Sequence, residues 1–501
     1  MKANDEKSPD ARTASDRTVK IVILAAAIVI TLALAWIYVN FGLKFLAPSA
    51  LVLGVLALML FFRDVKTPFF YLLVIILPIF IARYLVPIPD TEHPGLLNVP
   101  VLYAYEIPLY VFIFLWFIEF VAGRGEGLYL PRTTWSLALL FVPAALSMFW
   151  ALNWTYGAYE LFRMFEMFLF FLVAVNYVRT DRQLKIVIVI LGADIVFQSV
   201  LAIMQFIDPW GMYDLLAQFG IYMGISHATP YDPTSPIRAC GTTGYCNSLA
   251  GFFELTVPLF ASLYFFYPLS KAWKRAIVIL LALSLVALLV TFSRGGLLAM
   301  AVAAVALIVI GVRRFPDLTK HVVRVTLAVG VQLALIFLLL SEKLFMRLRF
   351  FMETMEDEVR VALMVNAVEM IKDNPILGVG LNNFPEAFYT YEVTGLDFEM
   401  LFPVHNTWLL IASEQGLLGL AAFLIFMLYI FLDARRATKD ASRLHAATAV
   451  GLTAGLIAWF THNMVAPLYQ NWLINRTTFI FVVALLAVIA RLRGSGDRTA
   501  A

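Results

Sequence analysis

Apolar runs of membrane-spanning length recur along the whole chain, and no other feature limits its fold as much. A helix needs about 20 predominantly apolar residues to cross a bilayer. Stretches of that kind lie near residues 20–40, 43–62, 67–83, 106–122, 134–152, 158–177, 184–207, 247–268, 275–292, 296–312, 324–341, 406–432, 445–465 and 473–490. No soluble core could absorb them all. Hydrophobic residues make up 62% of the 501-residue chain and charged ones 14%, against roughly 45–50% and about 25% in soluble proteins. The expected fold class is an all-α polytopic membrane protein with about 12–14 transmembrane helices.

Charge narrows the function. A net charge of +3 with no basic stripe interleaved by aromatics argues against a nucleic-acid partner. The first run, Ile21 to Val39, is of spanning length and lacks a small-residue cleavage site, so it reads as an uncleaved helix behind a charged tail. Most of the 37 basic residues fall into alternate inter-span segments when the N-terminus is placed inside. These segments include Arg63 and Lys66, Arg179 to Lys185, Lys271 to Arg275, Arg313 to Arg324, Arg435 to Arg443, and Arg491 to Arg498. The positive-inside rule then puts both termini in the cytoplasm. The chain divides into a tail at 1–19, a transmembrane bundle at 20–341, a large outer loop at 342–405, three helices at 406–490 and a tail at 491–501.

The outer side carries three extended segments, Tyr84–Tyr105, Asp208–Cys246 and Ser341–His405. Within the last, Glu356–Asp373 alternates apolar and polar residues at helical spacing and stops before Asn374-Pro375. Its stripe of Val361, Val365, Val368 and Ile371 predicts an amphipathic helix on the outer membrane surface. No internal repeat is visible, which weakens a transporter built from inverted halves.

Polar residues with chemistry gather on that same side. Arg163, Arg238, Arg294, Arg347, Arg349, Arg360 and Arg476 all fall near expected outer boundaries, with His405 and His462. Several guanidiniums facing one cavity suit a phosphate or pyrophosphate, which they grip bidentately. A histidine there can exchange a proton near neutral pH. The bland alternatives are a snorkelling or headgroup-binding arginine and a histidine that only supports a helix start. Of the acids inside spans, Glu166, Asp194, Glu254 and Glu414, Glu414 follows His405 on the same helix and could line the cavity below it. An interhelical hydrogen bond is its plainer role; Asp194 and Glu254 read as structural. Cys240 and Cys246, the only two cysteines, share one outer loop and can pair in an oxidising compartment. No phosphate-binding glycine loop, zinc-type cluster or serine-protease signature is present, so no nucleotide, metal or other cofactor is expected.

These residues stand in stretches that resemble the O-antigen ligase/polymerase family of bacterial membrane glycosyltransferases. The stretches are Arg238-Ala-Cys-Gly-Thr-Thr-Gly-Tyr-Cys-Asn247, Ser293-Arg-Gly-Gly296, Arg360 followed by Asn374-Pro-Ile-Leu-Gly-Val-Gly-Leu-Asn-Asn-Phe384, and His405-Asn406 followed by Glu414-Gln-Gly-Leu-Leu-Gly419. The resemblance extends over about residues 135–490. It implies a GT-C-like fold and a glycan donor carried on undecaprenyl pyrophosphate at the periplasmic face of the bacterial inner membrane. The glycan would pass to an acceptor hydroxyl, that of lipid A-core in a ligase, without a metal. His405 would orient or deprotonate the acceptor, and Arg360 and Arg294 would stabilise the leaving pyrophosphate. Arg238, Asn247, Asn406, Glu414 and Arg163 would contribute to substrate binding, with membrane lipids as further partners. A polymerase or a protein O-oligosaccharyltransferase shares the same motifs. An anionic-substrate transporter or flippase is the competing class, and a structural scaffold ranks third.

Overall fold

The computed structural model describes residues 64, 66–84, 101–123, 127–218, 237–320, 322, 324, 355–393, 403–469 and 473–496. The expected spans at 20–40 and 43–62, that at 324–341 beyond residue 324, and all of 342–354 with Arg347 and Arg349 lie outside them. Within them the elements run α1 (Lys66–Ile76), β1 (Ala82–Tyr84), β2 (Val101–Tyr103), α2 (Glu106–Val121), α3 (Arg132–Leu139), α4 (Phe141–Ser147), α5 (Trp154–Tyr177), α6 (Asp181–Ile207) and α7 (Pro209–Gln218). They continue as α8 (Cys246–Phe266), α9 (Lys271–Val290), α10 (Arg294–Arg314), α11 (Met355–Asp373), α12 (Phe384–Tyr391), α13 (Thr407–Thr438), α14 (Arg443–His462) and α15 (Leu473–Gly496).

Eight helical segments among the described residues are long and apolar enough to cross a membrane: Arg132–Trp150, α6, α8, α9, α10, α13, α14 and the Asn475–Leu492 part of α15. The chain is an all-α polytopic membrane protein. The 24-residue α5 is long enough as well but carries Glu160, Arg163 and Glu166. One expected span is shorter than predicted. The run at 67–83 is helical only to Ile76, and beyond it β1 pairs antiparallel with β2, Ala82 facing Tyr103. Pro78 explains the early stop, because the residue before a proline is pushed out of helical geometry.

The helix ends alternate between two sides. One side collects the basic residues and is tied across chain segments. Arg314 donates to the carbonyl of Thr438 at 2.7 Å, Arg443 meets Asp317 at 2.9 Å, and His445 meets Asp181 at 2.8 Å. The starts of α8, α10 and α13 and the end of α14 share the other side.

Small residues decide how these helices meet. α14 packs between α8 and α10, and its sequence Ala-Ala-Thr-Ala-Val-Gly-Leu-Thr-Ala-Gly from Ala446 to Gly455 allows backbone-to-backbone approach. A Cβ on Gly451 would stand 2.7 Å from the carbonyl oxygen of Pro258, and one on Gly455 2.7 Å from that of Glu254. Pro258 lies inside α8 and has no N–H, so the Glu254 carbonyl loses its usual intrahelical donor. Gly455 packs against that carbonyl. Gly451→Val is therefore expected to destabilise the protein by about 3 kcal/mol, the upper end for overpacking, because backbone has no rotamer with which to yield. Thermal unfolding of the purified protein in detergent measures this; an unchanged midpoint would remove α14 as the packing centre.

The amphipathic helix forms, and the face that docks on the protein is the one opposite its valine stripe. α11 ends at Asp373 before Asn374-Pro375, as its sequence predicts. Leu363, Ala367 and Met370 are buried against Phe384, Phe388 and Leu410, whereas Val361, Val365 and Val368 are exposed. The longer and smaller side chains interlock with α12 and α13, so the valine stripe is left on the outer surface. Arg360 stands three and seven residues before Leu363 and Ala367, which places it on the docking face of α11.

Candidate functional site

His405 and Asn406 precede α13, and Asn406 caps it. Its Oδ1 accepts from the backbone N–H groups of Trp408 at 2.9 Å and Leu409 at 3.1 Å, satisfying donors that a helix start otherwise leaves open. Its Nδ2 donates to the carbonyl of Met464 at 3.1 Å. Next to it, the N–H of Thr407 donates to the carbonyl of Asn463 at 2.9 Å and its hydroxyl to Asn463 Oδ1 at 2.7 Å. Asn463 is anchored in turn to the Trp459 carbonyl at 2.7 Å. The start of α13 is thus stitched to the end of α14. His462, the last residue of α14, lies against Gly295, immediately after Arg294. Arg294 is exposed at the first position of α10, where Ser293 caps the helix by accepting from Gly296 N–H at 3.2 Å.

Arg238 joins the same end through the turn before α10. Its Nε donates to the Thr291 carbonyl at 2.8 Å and its Nη2 to Asn247 Oδ1 at 2.9 Å. The segment that carries it is held from below by Gln205, whose Oε1 accepts from the N–H groups of Cys240 at 3.1 Å and Gly241 at 2.8 Å. A disulfide joins Cys240 to Cys246. Closing so short a loop stabilises by about 2 kcal/mol in the chain-entropy account. Replacing both cysteines by serine is expected to lower the unfolding free energy by about that amount, and added reductant should do the same to the native chain. Equal melting of all three samples would contradict this.

Arg360 and His405 face each other electrostatically. Burial, and then the charge of Arg360, push the imidazole of His405 down to about 4. It is neutral at physiological pH, and its buried Nδ1 has no hydrogen-bond partner. A neutral imidazole can accept a proton, which the imidazolium cannot.

The chain segments that follow these two residues meet at a break in α13. Gly416 has φ 67° and ψ −173°, backbone open essentially to glycine alone. The loop after α11 enters this break and supplies the missing hydrogen bonds. The N–H groups of Val379 and Gly380 donate to the carbonyls of Ser413 and Glu414, both at 2.9 Å. The N–H groups of Leu417 and Leu418 donate to the carbonyls of Pro375 and Ile376, at 2.8 and 3.3 Å. Glu414 fastens the far end, accepting from Phe384 N–H at 3.2 Å. Asn-Pro-Ile-Leu-Gly-Val-Gly and Glu-Gln-Gly are therefore two halves of one joint. The helix expected at 406–432 is continuous in chain but not in geometry, and Gly416 is the residue at which it breaks.

Several residues expected to bind substrate have other engagements. Arg163 is buried and forms ion pairs with Glu106 and, at 2.6 Å, with Glu166, and it donates to the carbonyl of Val101. A guanidinium enclosed in that way braces α2, β2 and α5 and has no face left for an anion. Asn406 is a cap, and the amide that was to touch substrate holds α13 to α14. Arg476, also counted among the outer arginines, is 1% exposed and pairs with Glu160 at 2.6 Å. Asn463 was not singled out from sequence, although His-Asn occurs twice, at 405–406 and 462–463. That repeated dipeptide was the readable signal, since each asparagine joins the same junction.

No curated protein matches the chain. Residues 279–424, the stretch that holds Arg294, Arg360, His405 and the joint at Glu414-Gln-Gly416, match the family model described as O-antigen ligase, and across them the chain carries a domain of that family.

Proposed function

We propose that the protein is an O-antigen ligase of the bacterial inner membrane, which moves a glycan from undecaprenyl pyrophosphate to a hydroxyl of lipid A-core at the periplasmic face, with both termini cytoplasmic. The observation that carries this reading is the junction itself. The starts of α10 and α13 and the end of α14 meet on the side away from the basic loops, and they bring Arg294 to the same end as the Arg360–His405 pair. Arg294 also stands at the N-terminus of a 21-residue helix, where oriented N–H groups favour an anion. In this mechanism Arg360 and Arg294 bear the charge that develops on the departing pyrophosphate. His405, neutral and adjacent, takes the proton of the acceptor hydroxyl as the new glycosidic bond forms. Arg238 and Asn247 support the turn before α10, and Glu414 holds the joint that keeps Arg360 near His405. No step needs a metal ion.

The test is glycan transfer by the purified protein in chelator, with an undecaprenyl-pyrophosphate oligosaccharide and with or without lipid A-core. Transfer that requires lipid A-core is the expected result. Longer lipid-linked chains without it would make the protein a polymerase, and transfer to serine or threonine of a protein an O-oligosaccharyltransferase. No product from an intact fold would return the transport reading.

A further inference from the structure

One buried titratable pair has no part in that mechanism as stated. Glu254 in α8 and His462 at the end of α14 meet through Oε1 and Nδ1 at 2.7 Å, and they are 0% and 2% exposed. The second carboxylate oxygen of Glu254, Oε2, is buried without a hydrogen-bond partner. Packing alone does not call for such a pair. α8 and α14 already interlock through Gly451, Gly455 and the bond from Ser262 to the Ala447 carbonyl at 2.6 Å, α10 packs on α14 through Ala299, Ala303 and Ala458, and burying ionisable groups is costly.

The position of the pair suggests its role. The imidazole rests on Gly295, where a Cβ would stand 2.6 Å from Cδ2 and 2.7 Å from Nε2. A Cβ on Gly296 would stand 3.3 Å from Glu254 Oε1. These glycines follow Arg294 directly, so carboxylate and imidazole together form the floor of the turn that presents it. The other edge of the same histidine's helix end is fixed by Asn463 to Thr407, two residues from His405.

We propose that Glu254 and His462 are the positioning pair of Arg294: the carboxylate fixes the imidazole, and the imidazole fixes the height of the α10 start against the pyrophosphate. This rests on the assignment of Arg294 to that anion. Both residues lie outside the stretch matched to the ligase family.

The experiment is binding of undecaprenyl pyrophosphate to the purified full-length protein, together with donor and acceptor KM in the transfer assay. Glu254→Gln keeps the shape of the side chain and is expected to weaken donor binding about tenfold while leaving the acceptor KM unchanged. His462→Asn, whose amide N–H can take the place of Nδ1, should retain more affinity than His462→Ala. In an Arg294→Ala background, Glu254→Gln should have no further effect. Native affinity of Glu254→Gln, or effects that add to those of Arg294→Ala, would overturn the positioning role alone. Native affinity of Arg294→Ala would overturn the assignment of Arg294 and the pair with it. Should Glu254→Gln fail to accumulate, Gly295→Ala puts a methyl where the ring rests and leaves both partners present. It should weaken donor binding in the same way and be silent without Arg294; any other result counts against the pair.

Discussion

His405→Ala is expected to abolish glycan transfer, with a loss of about 10²- to 10⁴-fold, the usual contribution of a positioned acid–base group, in protein that accumulates and melts normally. The prediction follows from three properties of one side chain. Burial and the adjacent Arg360 keep it neutral, pushed down to about 4; its Nδ1 has no partner; and the cap at Asn406 fixes its place at the start of α13. The pH profile sharpens the test. Because the folded value is depressed below the ordinary value of about 6.5, the imidazole stays neutral as pH falls through 6.5 and protonates only near 4. The acid limb of the rate profile should therefore lie closer to 4 than to 6.5. Stability has the same sign: the unfolded chain takes up the proton first, so the contribution present above about 6.5 is lost as pH falls towards 4. Arg360→Ala should also abolish transfer, while Arg360→Lys, a point charge without the guanidinium fork, should recover part of it. Arg435→Ala, exposed on the basic side, is the control and should be mild. An acid limb at 6.5, or near-native turnover of His405→Ala, would remove the histidine from the chemistry.

Gly416→Ala should be among the most damaging single-methyl changes in the chain. The φ and ψ of this residue exclude a side chain, at a cost of about 1–3 kcal/mol. The added Cβ would also run into the backbone of Ile376 and Leu377. Both effects fall on the four hydrogen bonds that replace the helix ladder at this point. Loss of the folded protein, or a fall in its melting temperature together with lost transfer, is expected. A stable, active Gly416→Ala protein would show that the break in α13 is not needed.

Much of this is legible in the sequence alone. Apolar run length places most of the described helices, because a bilayer allows little else, and the motifs around Arg294 and His405 fall at helix starts. Periodicity could not say which of two stripes on α11 would be buried. Val361, Val365 and Val368 are the stripe that periodicity picks out, but the face that docks is chosen by the shapes of Phe384 and Phe388, which contribute nothing to the local pattern. Charge could not separate Arg163 and Arg476 from the other outer arginines either. Their partners, Glu106, Glu166 and Glu160, lie far away in sequence or half-concealed within an apolar run. The hydrogen bonds at Gly416 were hidden for a related reason: they run between two segments, and each segment alone reads as a turn or as a helix.

The joint in α13 has a mechanical consequence. Bonds run both ways across it, with two N–H groups from the loop and two from the helix, so the loop cannot slide past the helix without losing all four together. The end of α11, the loop and the first turns of α13 must shift as one body. Because Asn406 and Thr407 are bonded to the end of α14 as well, that body is held at its other end too, and a displacement of the loop is felt at His405 without any change inside the joint.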